Sequence, residues 1–349
     1  MNRFDAADGD ALAAVRSALD GGVFPSAVVS IRRAGSVARA AFGAADEATV
    51  YDLASLTKPL ATTILVLRAA EAGALDLDDR LDRYLPDASG GANGATVRDL
   101  LCHSGGLPAI PALERRFPDS AAIDRRQAVS ALLGIEPEGP PRETVVYSCT
   151  GFLLLGIVLE RISGERLADL FRDEIALPLG LVAPGSAAGY AAFLPEEAAR
   201  RRAAPTEFCP WRNRRIRGEV HDESSFCLGG DGGNAGLFAD VAGTERLFEV
   251  YENGGGLLKP ETAAEARRLQ TEGLNRRRGL GLQLHDDESF DGPLSPADAY
   301  GHTGFTGTSV WSSPSAGATA IVLTNRVYYG REDTAEKIAA FRRAFHAAL

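Results

Sequence analysis

Ser55-Leu56-Thr57-Lys58 sets a hydroxyl and an amine three residues apart. On a helix that spacing brings both onto one face, where the side chains can meet. The chemistry it permits is nucleophilic attack by the serine oxygen, with the amine taking the proton. Pro59 follows directly, and proline sits easily only in a first helical turn. Ser55 is therefore expected near the start of a helix beginning around Ala54, in a field that favours a developing anion. Tyr51, Leu53, Ala54, Leu56 and Leu60 make the flanks mostly apolar, so Lys58 is expected to be buried. To act as a base at neutral pH its pKa has to fall by about three units, roughly 4 kcal/mol of differential stabilisation.

Two further motifs follow in order. Tyr147-Ser148-Cys149 stands just before a patterned helix, Cys149 to Ser163, which Gly164 ends. His302-Thr303-Gly304 precedes a strand toward Trp311. The order S-x-x-K, Tyr-Ser-x, His-Thr-Gly resembles the serine β-lactamase-related family of penicillin-recognising peptidases, Tyr-using β-lactamases and esterases. Leu100-Leu101-Cys102-His103-Ser104-Gly105-Gly106-Leu107-Pro108 and Ala235-Gly236-Leu237-Phe238 extend the resemblance, which runs from about Phe24 to Thr324. It implies an α+β, β-lactamase/transpeptidase-like fold and catalytic roles for Ser55, Lys58, Tyr147 and His302. Ser55 would be acylated, and Lys58 or Tyr147 would take its proton. The Ser55 and Phe305 backbone N–H groups would form the oxyanion hole. Thr303, Gly304, Cys149 and His221 would line the substrate.

This chain departs from the family pattern at two of these positions. Cys149 stands where relatives usually carry Asn or Asp, and a thiol is a poor donor and acceptor. His302 stands where the Lys-Thr-Gly form has a fixed cation. Both changes favour an esterase or amidase over a D,D-peptidase or a weak β-lactamase. A non-catalytic ligand-binding protein of the same fold is a further alternative, and the intact Ser55, Lys58 and Tyr147 argue against it.

These residues need a scaffold. Asp10 to Leu19 has helical spacing and stops at Gly21-Gly22. Ala27 to Arg32 and Val37 to Phe42 flank Ala34-Gly35-Ser36 as a hairpin. Thr308 to Ser312 and Ala318 to Thr324 form a second strand pair, and Glu332 to Leu349 a closing amphipathic helix. The economical arrangement is one antiparallel sheet built from both ends of the chain, residues 1–58 and 286–349, with a mostly helical region, 59–285, inserted between them.

A net charge of -10 argues against a nucleic-acid partner. The basic run Arg212 to Arg217 is expected as a solvated loop or local anion contact. No apolar stretch is long enough to span a bilayer, and the N-terminal residues do not have signal-peptide character, so the expected location is cytoplasmic. Cys102, Cys149, Cys209 and Cys227 contain no close pair, so reduced thiols and no metal or cofactor are expected. The expected partner is a small-molecule substrate, with a monomer favoured. Gly230 to Ala235 matches a dinucleotide pattern without the surrounding strand–helix–strand unit, and is expected to be a decoy. His285 to Glu288 reads as an exposed acidic turn.

Overall fold

The hairpin residues alternate as a two-sided strand must. In the computed structural model, which describes residues 8–91, 93–286, 296–332 and 334–347, Ala27, Val29 and Ile31 face one way and Val28 the other. Strands β1 (Ser26–Arg33) and β2 (Ser36–Gly43) pair antiparallel, with Arg33 opposite Ser36. Ala34 and Gly35 take positive φ at the turn, 46° and 80°, which matches the twist of a tight hairpin.

The remaining strands are β3 (Tyr51–Asp52), β4 (Ala191–Phe193), β5 (Phe208–Cys209), β6 (Arg214–Arg215), β7 (Leu237–Ala239), β8 (Gln283–Leu284), β9 (Tyr300–Thr303), β10 (Ser309–Ser313) and β11 (Ala318–Thr324). The main sheet has the order β2-β1-β11-β10-β9-β8 and its pairings are antiparallel. It joins the two ends of the chain, since β1 pairs with β11 along seven residues. It also takes in β8, just before the expected boundary at residue 286.

Helices Gly9–Asp20 and Thr334–Ala347 cover one sheet face. Val15, Phe24, Val29, Ile31, Val322, Phe341 and Phe345 form a core there. A larger core on the other side joins Val28, Ile321 and Leu323 to the helical region, centred on the wholly buried run Thr150 to Leu159 of helix Cys149–Ser163. His285 and Asp286 of the expected acidic turn are described; Asp287 and Glu288 lie outside the described residues. No helix among the described residues is long and apolar enough to cross a membrane.

A small sheet, β3-β7-β4, was not expected from the sequence. It anchors the segment just before Ser55: Tyr51 pairs with Ala239 and Asp52 with Phe238. The Gly230 to Ala235 stretch packs on a helix and does not open one. A Cβ at Gly233 would meet Phe152 O at 2.1 Å, so glycine is required there for close backbone approach.

Candidate active site

Ser55 lies in a short 3-10 turn, Ala54–Leu56. Ala54 itself is left-handed, φ 47°, a conformation that is strained for a residue with a Cβ. Asp52 holds it. Its Oδ1 accepts from the Ala54 N–H at 2.8 Å and its Oδ2 from the His221 N–H at 2.6 Å. The turn runs into a widened π-helical segment, Lys58–Thr63, before regular α-helix begins at Ile64. The helix expected to begin around Ala54 therefore opens irregularly, a feature common at functional sites. Tyr251 Oη donates to Pro59 O at 2.6 Å and Thr62 Oγ1 to Gly233 O at 2.7 Å, locking that segment.

The Lys58 side chain is fully buried, as its flanks predict. Its Nζ donates to Ser55 Oγ at 3.1 Å and to Asn234 O at 3.0 Å, and lies 3.5 Å from Cys149 Sγ. It also stands 4.9 Å from the centre of the Tyr147 ring. The Tyr147 hydroxyl is buried and makes no well-formed hydrogen bond, although Lys58 and Ser55 both act on it at close range.

Burial is the largest influence on Lys58 and pulls its pKa down. The negative charge that Cys149 and Tyr147 carry when ionised outweighs it, so the net direction is upward. This differs from the lowering expected from apolar flanks alone, because the contacts that matter come from residues about ninety positions away. Burial also pushes Tyr147 up, against the opposing charge of Lys58.

The Tyr147-Ser148-Cys149 turn is held by the loop Leu100 to Pro108. His103 Nδ1 accepts from the Ser148 N–H at 3.0 Å, and His103 O accepts from the Val146 N–H at 2.9 Å. The His103 ring lies 4.6 Å from that of Tyr147. Ser148 Oγ caps helix Cys149–Ser163 by accepting from the Gly151 N–H at 3.1 Å, and donates to Pro108 O at 2.7 Å. Cys149 is the first residue of that helix and the one cysteine of four that is partly exposed; all four are free thiols.

The third segment comes from β9. His302 is buried, with its ring 5.8 Å from that of Tyr147. Its Nδ1 lies 2.8 Å from Thr303 O. A carbonyl only accepts, so Nδ1 carries the proton and Nε2 offers a lone pair, buried without a partner. Burial, then the charges of Arg278 and Lys58, hold its pKa well below the usual value, and the ring is neutral. Thr303 is partly exposed at the end of β9.

Gly304 sets how close this strand end comes to the nucleophile turn. A Cβ there would meet Thr308 Oγ1 at 2.0 Å and Leu53 O at 2.5 Å. Thr306 Oγ1 donates to Asp52 O at 2.7 Å and Thr308 Oγ1 to Leu53 O at 3.0 Å, so the two backbones are stitched together. Among the described residues the Phe305 N–H has no protein acceptor.

The Phe305 ring is 44% exposed and stacks on His221 at 5.5 Å. His221 lies buried beneath Phe305, with Nε2 3.1 Å from Glu207 Oε1, though out of line for a good hydrogen bond. Burial pushes Glu207 up, but His221 and Arg331 more than offset it and hold the carboxyl at about 2. His221 thus supports Phe305 and the Asp52 turn, and no hydrogen bond joins it to Ser55 among the described residues. Arg212 is buried and donates to Val220 O at 2.6 Å and His221 O at 3.1 Å. The basic run is therefore part bracket, not the fully solvated loop its composition suggests.

Sequence reasoning missed Arg278. Its guanidinium stands 5.9 Å from the centre of the Tyr147 ring, and its charge acts on His103 and His302. It belongs to the run Arg276-Arg277-Arg278, which carries no motif, so nothing local distinguishes it from its neighbours. Asp52 was missed too, because its role depends on contacts made 169 residues away. No cluster of metal-ligating side chains occurs among the described residues. A separate cavity lined by Ile123, Leu194, Val220, Phe226 and Phe238 contains none of the reactive groups.

A sheet built from both chain ends, a helical insert and a serine–lysine pair between them define the β-lactamase/transpeptidase class. A family model described as Beta-lactamase matches residues 12–344, and the chain belongs to that family. It is 31% identical over 306 residues to a putative D-alanyl-D-alanine carboxypeptidase of Escherichia coli (strain K12), covering 80% of this chain and 69% of that protein. Among solved structures it resembles EstCE1, a hydrolase with promiscuous acyltransferase activity, with TM-score 0.72, 25% identity, and coverage of 98% and 100% of the two chains. A penicillin-binding protein homologue from Caulobacter crescentus gives TM-score 0.73 at 18% identity, covering 100% and 99%, a likeness of fold. The family and these relatives make the chain a serine hydrolase.

Proposed function

We propose that this protein hydrolyses a small ester or amide through an acyl-enzyme on Ser55. The observation that carries the reading is Ser55 Oγ lying 3.1 Å from the buried amine of Lys58. Ser55 attacks the carbonyl, and the Lys58–Tyr147 pair takes the proton and returns it to the leaving group. The Ser55 and Phe305 N–H groups receive the oxyanion, each good donor being worth about 3 to 4 kcal/mol. Thr303 and Cys149 flank the bound substrate, and His302 offers a neutral acceptor beside Tyr147. A fluorophosphonate probe is expected to add once, with the adduct mapped by peptide mass spectrometry to Ser55. p-Nitrophenyl acetate is expected to give turnover. A label on Cys149 or elsewhere, with Ser55 unmodified, overturns the assignment.

Esters are favoured over amides. Cys149 Sγ, 3.5 Å from Lys58, is a weak partner for a substrate amide, and an ester leaving group needs less help. The Cys149→Asn variant is expected to raise acylation by nitrocefin relative to p-nitrophenyl acetate by about tenfold, the worth of one good hydrogen bond. An unchanged ratio removes the support for ester preference. A second reading, cleavage of a peptide-like amide with a free carboxylate, draws on the carboxypeptidase relative's name and on the cation at Arg278.

A further inference from the structure

The loop that offers the Phe305 N–H, Gly304 to Thr308, is held from behind by two buried arginines. Arg342, on helix Thr334–Ala347, donates from one terminal nitrogen to Gly304 O at 2.7 Å and to Thr308 O at 2.6 Å. Arg326, just after β11, donates from Nε to Phe305 O at 2.7 Å. A terminal nitrogen of Arg326 also donates to Thr334 Oγ1 at 2.8 Å, at the start of the same helix. The backbone closes this loop without help. Gly304 O accepts from the Gly307 N–H at 3.1 Å, and Thr308 O from the Gly304 N–H at 2.7 Å. Arg342 is therefore an addition to a turn that already has its hydrogen bonds.

That addition is unfavourable for folding. No carboxylate pairs with Arg342 among the described residues, and its Nε is buried with no hydrogen bond. Burial, then the like charge of Arg326, pull its pKa down to about 9, which leaves it protonated at neutral pH. A buried cation without a counter-ion costs stability, and a neutral donor would brace the turn at smaller cost. The charge itself therefore needs a role. Gly304 O and the Phe305 N–H are the two ends of one peptide group. That group is trans and planar, so the N–H points away from the guanidinium. A cation on the carbonyl oxygen polarises the group and makes its N–H a stronger donor, the more so in a buried setting. It also fixes the plane of the peptide.

We propose that Arg342 is a positioning residue for acyl transfer: through the Gly304–Phe305 peptide it aims and polarises the N–H that receives the oxyanion. Transition-state stabilisation at Ser55 thus depends on a charge in the C-terminal helix. This inference rests on the acyl-enzyme reading.

The test compares p-nitrophenyl acetate with its thiono analogue, in which sulfur replaces the carbonyl oxygen. Sulfur is a weak hydrogen-bond acceptor, so the thiono ester draws little from the oxyanion donors. Arg342→Met is expected to lower kcat/KM for the oxo ester, mainly through kcat, and to lower the oxo-to-thiono ratio about tenfold. That is part of the roughly 10²- to 10³-fold that follows loss of a whole donor. Arg342→Lys, which keeps the charge on a shorter side chain, is expected to recover some of the ratio. Phe345→Leu, a core change in the same helix, is expected to lower Tm and leave the ratio in place. An Arg342→Met variant that loses rate on both esters alike overturns the proposal and leaves the acyl-enzyme reading standing. A ratio that falls as far in Phe345→Leu also overturns it, because helix packing alone would then set the loop. A wild-type protein that turns over neither ester overturns both readings. Should Arg342→Met fail to fold, Arg342→Lys against wild type decides, and an unmoved ratio overturns the proposal.

Discussion

Lys58→Ala is expected to lower kcat/KM for p-nitrophenyl acetate by about 10³-fold, within the range a positioned acid–base group supplies. In the native site the Lys58 amine contacts Ser55 Oγ, Cys149 Sγ and Asn234 O. It touches both the nucleophile and the Tyr147 segment. Alanine removes the hydrogen bond that Lys58 makes to Ser55 Oγ. Stability is expected to change far less in relative terms, because the bond to Asn234 O is lost while a buried charge is also removed. Thermal unfolding separates the two effects. Adding Tyr147→Phe to Lys58→Ala should lower the rate little further, since groups acting as one unit are strongly non-additive. A single variant retaining more than a tenth of wild-type kcat/KM would show that Lys58 holds structure only.

The parts of this site legible in the sequence are those with local signatures. Ser55 and Lys58 were readable because three residues make nearly one helical turn, and Cys149–Ser163 because its apolar run ends at a left-handed glycine, Gly164. The hairpin at Ala34-Gly35 announced itself by turn chemistry. What could not be read depends on distant contacts. Asp52 is an ordinary acid in the sequence and a double bracket in the fold, joining Ala54 to His221. Arg278 has two arginine neighbours and becomes distinctive only when β8 pairs with β9 and carries the segment before it toward Tyr147.

The direction of the Lys58 pKa was unreadable for the same reason. Apolar neighbours in sequence give only the desolvation, and the opposing charges come from Tyr147 and Cys149 in a distant segment. Gly304 joins the two scales. Its place in His302-Thr303-Gly304 was visible, but the reason for glycine lies in Leu53 O and Thr308 Oγ1, which leave no room for a Cβ. The same approach that requires glycine brings Phe305 beside the nucleophile turn.

Tyr147→Phe is expected to lower kcat/KM by about 10²-fold and to move the rising limb of its pH profile to lower pH. Lys58 and Tyr147 are both raised above their ordinary values, and groups this close lose protons as a pair. A raised pKa means the proton is kept to higher pH, so the base form appears only as pH climbs into the alkaline range. Wild-type kcat/KM should therefore rise from neutral pH upward. Phenylalanine removes one of the charges that push Lys58 up. Burial, which pulls Lys58 down and is its largest single influence, stays. Lys58 then gives up its proton at lower pH, and the variant's smaller rate levels off earlier. The deficit against wild type is consequently widest at high pH, where the native pair is still gaining its base form and the variant has none left to gain. Initial rates on p-nitrophenyl acetate across the neutral-to-alkaline range, corrected for hydroxide, would reveal the shift. A limb that stays in place in the variant would mean that the Tyr147 charge does not act on Lys58, and the paired proton transfer would fail with it.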